Sequence, residues 1–375
     1  MGLPMSDIIT AAITEALDLA HQGLYRTSPN PRVGCVIADA AGVVIGRGST
    51  GPAGGAHAEI MALRNAAAGG HSVRGATAYV TLEPCSHHGR TGPCCDALVA
   101  AGIAKVVASL TDPNPLVAGQ GFARLRAAGV AVQVGPGAQA ARELNVGFFS
   151  RMLRHRPWVR MKLAASLDGV TALADGSSQW ITGPAARADG HAWRARACAL
   201  LTGIGTVLAD DPRLDVRALH TERQPALVLL DSALRVPLDA CIFAADRAVH
   251  IYAAAENDAK RRALEQRGAT LAVLPDSQGR VDLAAMLHDL ARRQVNELHV
   301  EAGQQLNGAL LRQGLVDELL VYLAPKLIGP GLGMAQLAPL AALSQAQALD
   351  FHGLERVGED VRILARWRDR EPFWG

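Results

Sequence analysis

The chain has 375 residues, 49% hydrophobic, 19% charged and 4% aromatic, with 37 Lys plus Arg against 35 Asp plus Glu. Roughly 100–200 residues make a domain, so this length predicts two or three domains, and the apolar share excludes a disordered or fibrous chain. A net charge of +2 offers no electrostatic case for a nucleic-acid or membrane partner.

No apolar stretch reaches the roughly 18–20 residues of a membrane span, and Met1–Ala20 lacks the basic start of a secretory signal. Six cysteines are too few and too unevenly placed for a disulfide framework, and three of them fall between 85 and 95. A reduced, cytoplasmic enzyme is expected.

In chain order, Ile9, Ile13, Ala16, Leu17 and Ala20 recur at helical spacing behind a Ser6-Asp7 cap. Val33–Ala38 and Val43–Ile45 flank a Gly-containing turn and predict a β-hairpin. A helix follows at about Ala56–Ala68, a strand at Ala76–Leu82 and a helix at about Cys95–Ala101. A strand at Val106–Leu110, a helix around Phe122–Ala128 and a strand at Val130–Val134 complete a layered α/β domain. Gly135-Pro-Gly137, a short helix and the basic stretch Arg151–Arg156 lead into a new pattern, so we expect domains of 1–150 and 151–375. The second opens with a strand at Val159–Ala164, a Gly/Ser loop at 169–178 and a helix near Pro184–Arg196. Further strands are expected at Ala199–Thr202, Ala226–Leu230, Ala248–Tyr252, Thr270–Leu274, Glu297–Glu301 and Leu319–Leu323. Helices fit Ala259–Arg267, Leu283–Gln294 and Asn307–Gln313, with one or two closing strands in Leu354–Trp367.

The first chemical constellation is His57-Ala-Glu59 at a helix start, with Pro84-Cys85 closing a strand and Cys94 opening the next helix. One imidazole and two thiolates suit Zn2+ and leave a fourth position for water, the arrangement of a catalytic rather than a structural zinc site. Glu59, two residues beyond His57, sits beside the metal as the proton carrier; His-x-Glu with Pro-Cys is the signature of zinc nucleobase deaminases. Eight residues separate the two cysteines here, a longer loop than the usual spacing. Cys95 competes with Cys94 as ligand. Cys94 is preferred because it follows Pro93 at a helix N-terminus, where the dipole favours a thiolate, and Cys95 reads as core. His87 and His88 are alternative ligands or loop contacts to an anionic substrate, and Cys35 reads as a small hydrophobe within the sheet.

Taken together, Pro29-Asn-Pro-Arg-Val-Gly34, His57-Ala-Glu59, Thr81 to Asp96 and Asp112-Pro-Asn-Pro115 resemble the bifunctional riboflavin-biosynthesis deaminase–reductase family. Lys162 to Gly169, Ser178 to Thr182, Thr206 to Pro212, Val300 to Gly303 and Leu315 to Leu319 continue the resemblance over nearly the whole chain. It implies a cytidine-deaminase-like α/β/α domain followed by a dihydrofolate-reductase-like α/β domain. The first would deaminate 2,5-diamino-6-(5-phosphoribosylamino)pyrimidin-4(3H)-one with zinc on His57, Cys85 and Cys94 and proton transfer by Glu59. Asn30 would help hold the pyrimidine, and His88 or Arg90 would reach the phosphoribosyl end.

In the second half a strand ends at Glu301, and Gly303 precedes a helix from about Asn307, so backbone N–H groups there suit a phosphate. No G-x-G-x-x-G follows an early strand, which argues against a Rossmann site. The resemblance implies NADPH-dependent reduction of the ribosyl chain to ribityl. Cofactor contacts would then fall on Ala164, Trp180, Thr206, Asp210, Ser232 and Gly303, Gln304, Gln305, Leu306, Asn307, Gly308 and Ala309. Substrate contacts would fall on Ser178, Arg194, Leu214, Arg217 and Glu301, with the arginine forks suited to a phosphate. Lys162 would polarise the carbonyl or else pair with Asp168 or Asp210. Read from residue type alone, Trp180 is core packing, Asp210 a cap or turn residue and Arg194 part of a solvated helix face. Small phosphoribosylaminopyrimidines are the expected partners, with neither nucleic acid nor membrane, and a homo-oligomer is allowed.

Overall fold

The computed structural model describes residues 5–86, 92–115, 117–370 and 373–374. The chain forms two compact units that part between Arg154 and His155. Among the described residues no helix is long and apolar enough to cross a membrane.

The first unit runs α1 (Met5–His21), β1 (Gly34–Ala38), β2 (Val44–Ser49), α2 (Ala58–Ala68), β3 (Thr77–Val80), α3 (Cys94–Ala100), β4 (Lys105–Ala108), α4 (Gln120–Ala127), β5 (Ala131–Val134), α5 (Ala138–Leu144) and α6 (Val146–Arg154). Its sheet has the order β2-β1-β3-β4-β5. The β1–β2 hairpin forms as expected; Asp39 Oδ1 accepts from the Ala41 and Val43 amides, and Gly42 supplies the positive φ of 84° that the turn requires. Strand alternation then decides the layering. A Cβ on Gly34 would lie 1.8 Å from the Ala16 carbonyl of α1, whereas one on Gly48, the partner of the adjacent Cys35, would lie 2.2 Å from the Ala58 carbonyl of α2. Neighbouring strand residues face opposite ways, so α1 and α2 cover opposite faces of the sheet, each at backbone contact distance.

The second unit runs β6 (Trp158–Ser166), β7 (Val170–Leu173), α7 (Pro184–Arg196), β8 (Ala199–Gly203), α8 (Ile204–Asp210), β9 (Ala226–Leu230), β10 (Val249–Ala253), α9 (Asp258–Gln266), β11 (Ala269–Val273), α10 (Leu283–Arg292), β12 (Glu297–Val300), α11 (Gln304–Arg312), β13 (Glu318–Ala324), β14 (Gly331–Gly333), β15 (Leu349–Val357) and β16 (Asp360–Trp367). Its sheet has the order β11-β10-β9-β8-β12-β6-β13-β16-β15, parallel from β11 to β13 and antiparallel at the closing hairpin. Parallel strands buried on both faces read as continuous apolar runs. Leu201, Val228 and Leu230 pack under α10 residues Met286, Leu287 and Leu290, while the alternating Leu200, Leu227 and Leu229 pack with Ile251 and Leu264 of α9. Amid this apolar sheet Arg160 is fully buried, bonded to Glu297 on one neighbouring strand and Glu318 on the other. Arg196 also holds Glu297, and Arg366 holds Glu318.

Two local expectations are corrected, the Gly/Ser loop and the start of the closing strands. Residue 150 lies inside α6, which takes in Arg151 to Arg154 of the basic stretch and whose first residues, Val146 to Ser150, are buried. The Gly/Ser loop contains β7, which pairs with the unforeseen β14. Thr206 to Asp210 is helix, and the C-terminal region is a hairpin that begins at Leu349. β7 and β14 are short and lie far apart in sequence, so periodicity does not reveal them.

Gly34→Ala should destabilise the first unit by about 1–3 kcal/mol or more, because the added methyl overlaps helix backbone rather than a yielding side chain; the chemical-denaturation midpoint measures this. Burial alone would raise the Glu318 carboxyl, yet Arg160, Arg366 and Arg196 hold it down to about 2. A depressed carboxyl gives stability that is complete above its unfolded value of about 4.3. Acid titration should therefore show the second unit losing stability as pH falls from there toward about 2, and Glu318→Gln should flatten that limb.

Candidate active sites

In the first unit two helix starts and one strand end bring the soft donors together. His57 has extended backbone (φ −74°, ψ 164°) immediately ahead of α2, Cys85 follows β3, and Cys94 is the first residue of α3. His57 Nδ1 lies 3.6 Å from Cys85 Sγ and 3.4 Å from Cys94 Sγ, and the Cys94 amide donates to Cys85 Sγ at 3.4 Å. All three ligand atoms lie within 4.8 Å of one another. Bonds of about 2.0–2.1 Å to nitrogen and 2.3 Å to sulfur in a tetrahedron put N and S about 3.5–3.6 Å apart. The trio therefore fits zinc without rearrangement.

The Cys85 thiol is drawn down to about 4 by hydrogen bonding with Cys94, against burial and with help from His57, and Cys94 beside that charge is pushed up. The bond to Cys85 also raises His57. Glu59, 4% exposed, is raised to about 7 chiefly by burial, with the Cys85 charge adding to it. Cys95 turns away: its thiol donates to the Pro84 carbonyl at 3.1 Å and is raised by burial to about 12. Cys35 is fully buried in β1 with its thiol likewise raised.

Sequence reasoning passed over Glu83, which stands in the motif as one letter among several. Its buried carboxylate accepts from the Asp112 and Gly119 amides on one oxygen and the Gly121 and Phe122 amides on the other, at 2.9–3.2 Å. It thereby fastens the 112–122 loop against the Pro84-Cys85 end of β3. Asn30 sits half-buried in the turn before β1, its amide donating to the Thr27 carbonyl at 2.9 Å. His87, His88 and Arg90 lie outside the described residues.

The second unit holds a cavity of about 990 Å³ at the carboxyl ends of its parallel strands. Ala164, Trp180, Thr206, Asp210, Ser232, Gly303, Gln304, Gln305, Leu306, Asn307 and Ala309 line it, as do Lys162, Ser178, Arg194, Leu214, Arg217 and Glu301. Gly308 does not: it faces the 336 segment, where a Cβ would lie 2.2 Å from the Gln336 carbonyl. Successive helix residues point about 100° apart, so Gly308 packs away from the cavity between the lining residues Asn307 and Ala309.

Several bland readings are overturned. Trp180 is 61% exposed and lies under the Arg187 guanidinium at 4.5 Å, with its backbone carbonyl held by Lys326 at 3.1 Å. Arg194 is not on a solvated face; it grips both oxygens of Glu301 and donates to the Asp215 carbonyl at 3.1 Å. Lys162 pairs with neither Asp168 nor Asp210 but faces Glu301 at 3.9 Å. Burial lowers the Lys162 ammonium against the pull of Glu301. Burial would raise Glu301, but Arg194 and then Lys162 outweigh it and hold the carboxylate well below its usual range. Arg217 bonds Asp215 at 2.7 Å and keeps 54% of its side chain exposed. Asp210 is the last residue of α8. Arg187, Arg280 and Arg312 also line the cavity; they stand in no recognisable motif.

Residues 157–363 match the family model for the RibD C-terminal domain, and residues 7–110 match that for the cytidine and deoxycytidylate deaminase zinc-binding region. The riboflavin biosynthesis protein RibD of Escherichia coli (strain K12) is 45% identical over 359 residues, covering 93% of this chain and 96% of that protein. Its counterpart in Haemophilus influenzae is 42% identical over 367 residues, covering 93% and 94%. Among solved structures, Acinetobacter baumannii RibD (form 1) superposes with a TM-score of 0.89 at 39% identity, covering 97% of this chain and 99% of that one. A diaminohydroxyphosphoribosylaminopyrimidine deaminase/5-amino-6-(5-phosphoribosylamino)uracil reductase from Thermotoga maritima gives 0.85 at 30% identity, covering 96% and 99%.

The cysteine pair is distinguishable by metal analysis. Purified wild-type protein should carry about one zinc per chain, Cys95→Ser should keep it, and Cys94→Ser should lose most of it on dialysis; full zinc in Cys94→Ser would remove that residue from the ligand set.

Proposed function

The chain belongs to the RibD family of bifunctional deaminase–reductases of riboflavin biosynthesis, and from that premise we propose its substrates, cofactors and the residues that serve them. The first unit hydrolyses the amino group of 2,5-diamino-6-(5-phosphoribosylamino)pyrimidin-4(3H)-one, the substrate class for which the Thermotoga relative is named. The observation that carries this reading is the His57, Cys85 and Cys94 trio at zinc-ligand spacing with buried Glu59 beside it. Bound zinc supplies a Lewis acid that lowers the pKa of a water to about 7. Glu59, poised near the same value, accepts the proton of the attacking water. It passes that proton to the ring nitrogen as the oxygen adds to carbon, then carries the second proton from that oxygen to the departing amine as the C–N bond breaks, so that water and the amine become a carbonyl and ammonia. Asn30 holds the pyrimidine.

The second unit, on this proposal, reduces the ribosyl chain of 5-amino-6-(5-phosphoribosylamino)uracil to ribityl with NADPH. Gly303 to Leu306 at the start of α11 receive the cofactor's phosphates, since the N–H groups of a first helical turn have no partner within the helix, and Asn307, whose amide closes that turn on the Gly303 carbonyl at 3.1 Å, lies beside them. Ala164, Trp180, Thr206, Asp210, Ser232 and Ala309 complete its walls, and Ser178, Leu214, Arg217 and the Arg194–Glu301 pair meet the substrate. Because Arg194 is already engaged by Glu301, the more open Arg217 is the stronger candidate for the substrate phosphate. Lys162, its ammonium lowered by burial, is placed to donate a proton to the opened sugar as hydride arrives. Both reactions use small molecules, and we place them in the cytoplasm.

Glu59→Gln tests the first activity. Deamination should fall by about 10²–10⁴-fold with zinc content unchanged, while NADPH oxidation with the deaminated intermediate stays at the wild-type rate. A deaminating Glu59→Gln protein would reject the role given to Glu59, and no NADPH turnover by the wild type would reject the second activity.

A further inference from the structure

The stretch of chain that presents Arg217 to the reductase cavity has no regular structure of its own. Residues 211–217 form neither helix nor strand, yet Arg213, Leu214 and Arg217 line the cavity. Leu214, Asp215 and Val216 are buried, and buried backbone outside helix and sheet needs partners from elsewhere. Side chains supply them. Arg247 Nη2 donates to the Arg213 carbonyl at 2.7 Å, and its Nη1 donates to the Leu214 carbonyl. Arg194 Nη1 donates to the Asp215 carbonyl at 3.1 Å. Gln224 takes both polar groups of Val216, its Oε1 accepting from the amide and its Nε2 donating to the carbonyl, each at 2.8 Å. The Arg217 amide donates to His191 Nδ1 at 3.4 Å. Burial, with Arg194 and Arg217 nearby, lowers that imidazole to about 4, so it stays neutral and able to accept.

The same segment carries its own counter-ion. Asp215 gives Oδ2 to Arg213 at 2.9 Å and Oδ1 to Arg217 at 2.7 Å. One carboxylate between two guanidinium groups leaves a positive charge in excess, and each guanidinium has N–H donors beyond those that Asp215 engages. Both arginine side chains stay more than half exposed, at 56% and 54%. Asp215 therefore ties the two forks together without using them up. Neither Gln224 nor Arg247 belongs to the residues that line the cavity. What they hold is the backbone from which the two forks project.

We propose that Gln224 and Arg247 are positioning residues that hold the Arg213 and Arg217 guanidinium groups in place for the substrate phosphate, and so give the reductase its preference for a phosphorylated substrate. The proposal rests on the reading of Arg217 as the contact to that phosphate. A guanidinium fork gains its full strength only when its planar donors meet the phosphate oxygens squarely, and a displacement of about 1 Å removes most of the gain. Without Gln224 or Arg247 the 213–217 backbone loses bonds on two polar groups at once, and the forks it carries are no longer fixed.

Steady-state reduction of 5-amino-6-(5-phosphoribosylamino)uracil and of its dephosphorylated counterpart by the full-length protein tests it. The readout is the ratio of the two kcat/KM values, because a general loss of folded protein lowers both and leaves the ratio unchanged. Gln224→Ala and Arg247→Ala should each cut that ratio by about 10- to 100-fold, chiefly through a higher KM for the phosphorylated substrate. Gln224→Glu keeps the acceptor for the Val216 amide and loses the donor to its carbonyl, so its ratio should fall between; being isosteric, it decides the point should the alanine variants fail to fold. Wild-type ratios in these variants overturn the proposal while the phosphate reading stands. A wild-type protein that reduces the two substrates equally well overturns both.

Discussion

Parallel strands bring their carboxyl ends to one edge of a sheet, where the helices that follow them begin, and both candidate sites lie on such an edge. In the first unit the ends of β2 and β3 feed the starts of α2 and α3, which set His57 and Cys94 beside Cys85. In the second, the ends of β8, β9 and β12 feed α8, the Ser232 loop and α11 around one cavity. Backbone N–H groups at helix starts favour negative charge, so this edge suits thiolates in one unit and phosphates in the other.

Holding such an edge in register requires the layers beneath it to be rigid. Gly34 and Gly48 let α1 and α2 approach the sheet to backbone contact on opposite faces, and any side chain there would lift a helix that carries or supports a ligand. Glu83 does comparable work at the loop above β3. Four amides converge on one buried carboxylate, which satisfies donors that a buried loop would otherwise leave unpaired. The reductase sheet is pinned by Arg160 between Glu297 and Glu318. A buried ion network of this kind adds little net stability over apolar packing but is costly to break on one side.

The two sites differ in how they use charge. The deaminase site gathers one histidine and two cysteines, a donor set that suits a cation, around the buried Glu59. The reductase site is already balanced, with Glu301 between Arg194 and Lys162. Its carboxylate is therefore fixed in the ionised state, and the lysine is the group whose proton is loosened.

The sequence by itself determined the layered α/β class and the His57, Cys85 and Cys94 trio, and it singled out Glu59 and the strand–Gly–helix turn at Gly303 as candidates. Each of these is encoded locally, by hydrophobic period or by a residue type at a helix start or strand end. Gly308, expected at the cofactor by motif position, packs against the 336 segment while its neighbours Asn307 and Ala309 line the cavity. Only the tertiary structure decided which charges meet. Arg194 finds Glu301 across 107 residues and Asp189 finds Arg362 across 173, while Lys162 finds Glu301 rather than the nearer Asp168. Pairings of that kind are set by strand order in the sheet, which joins segments without regard to their distance along the chain, so no spacing or composition within the sequence carries them.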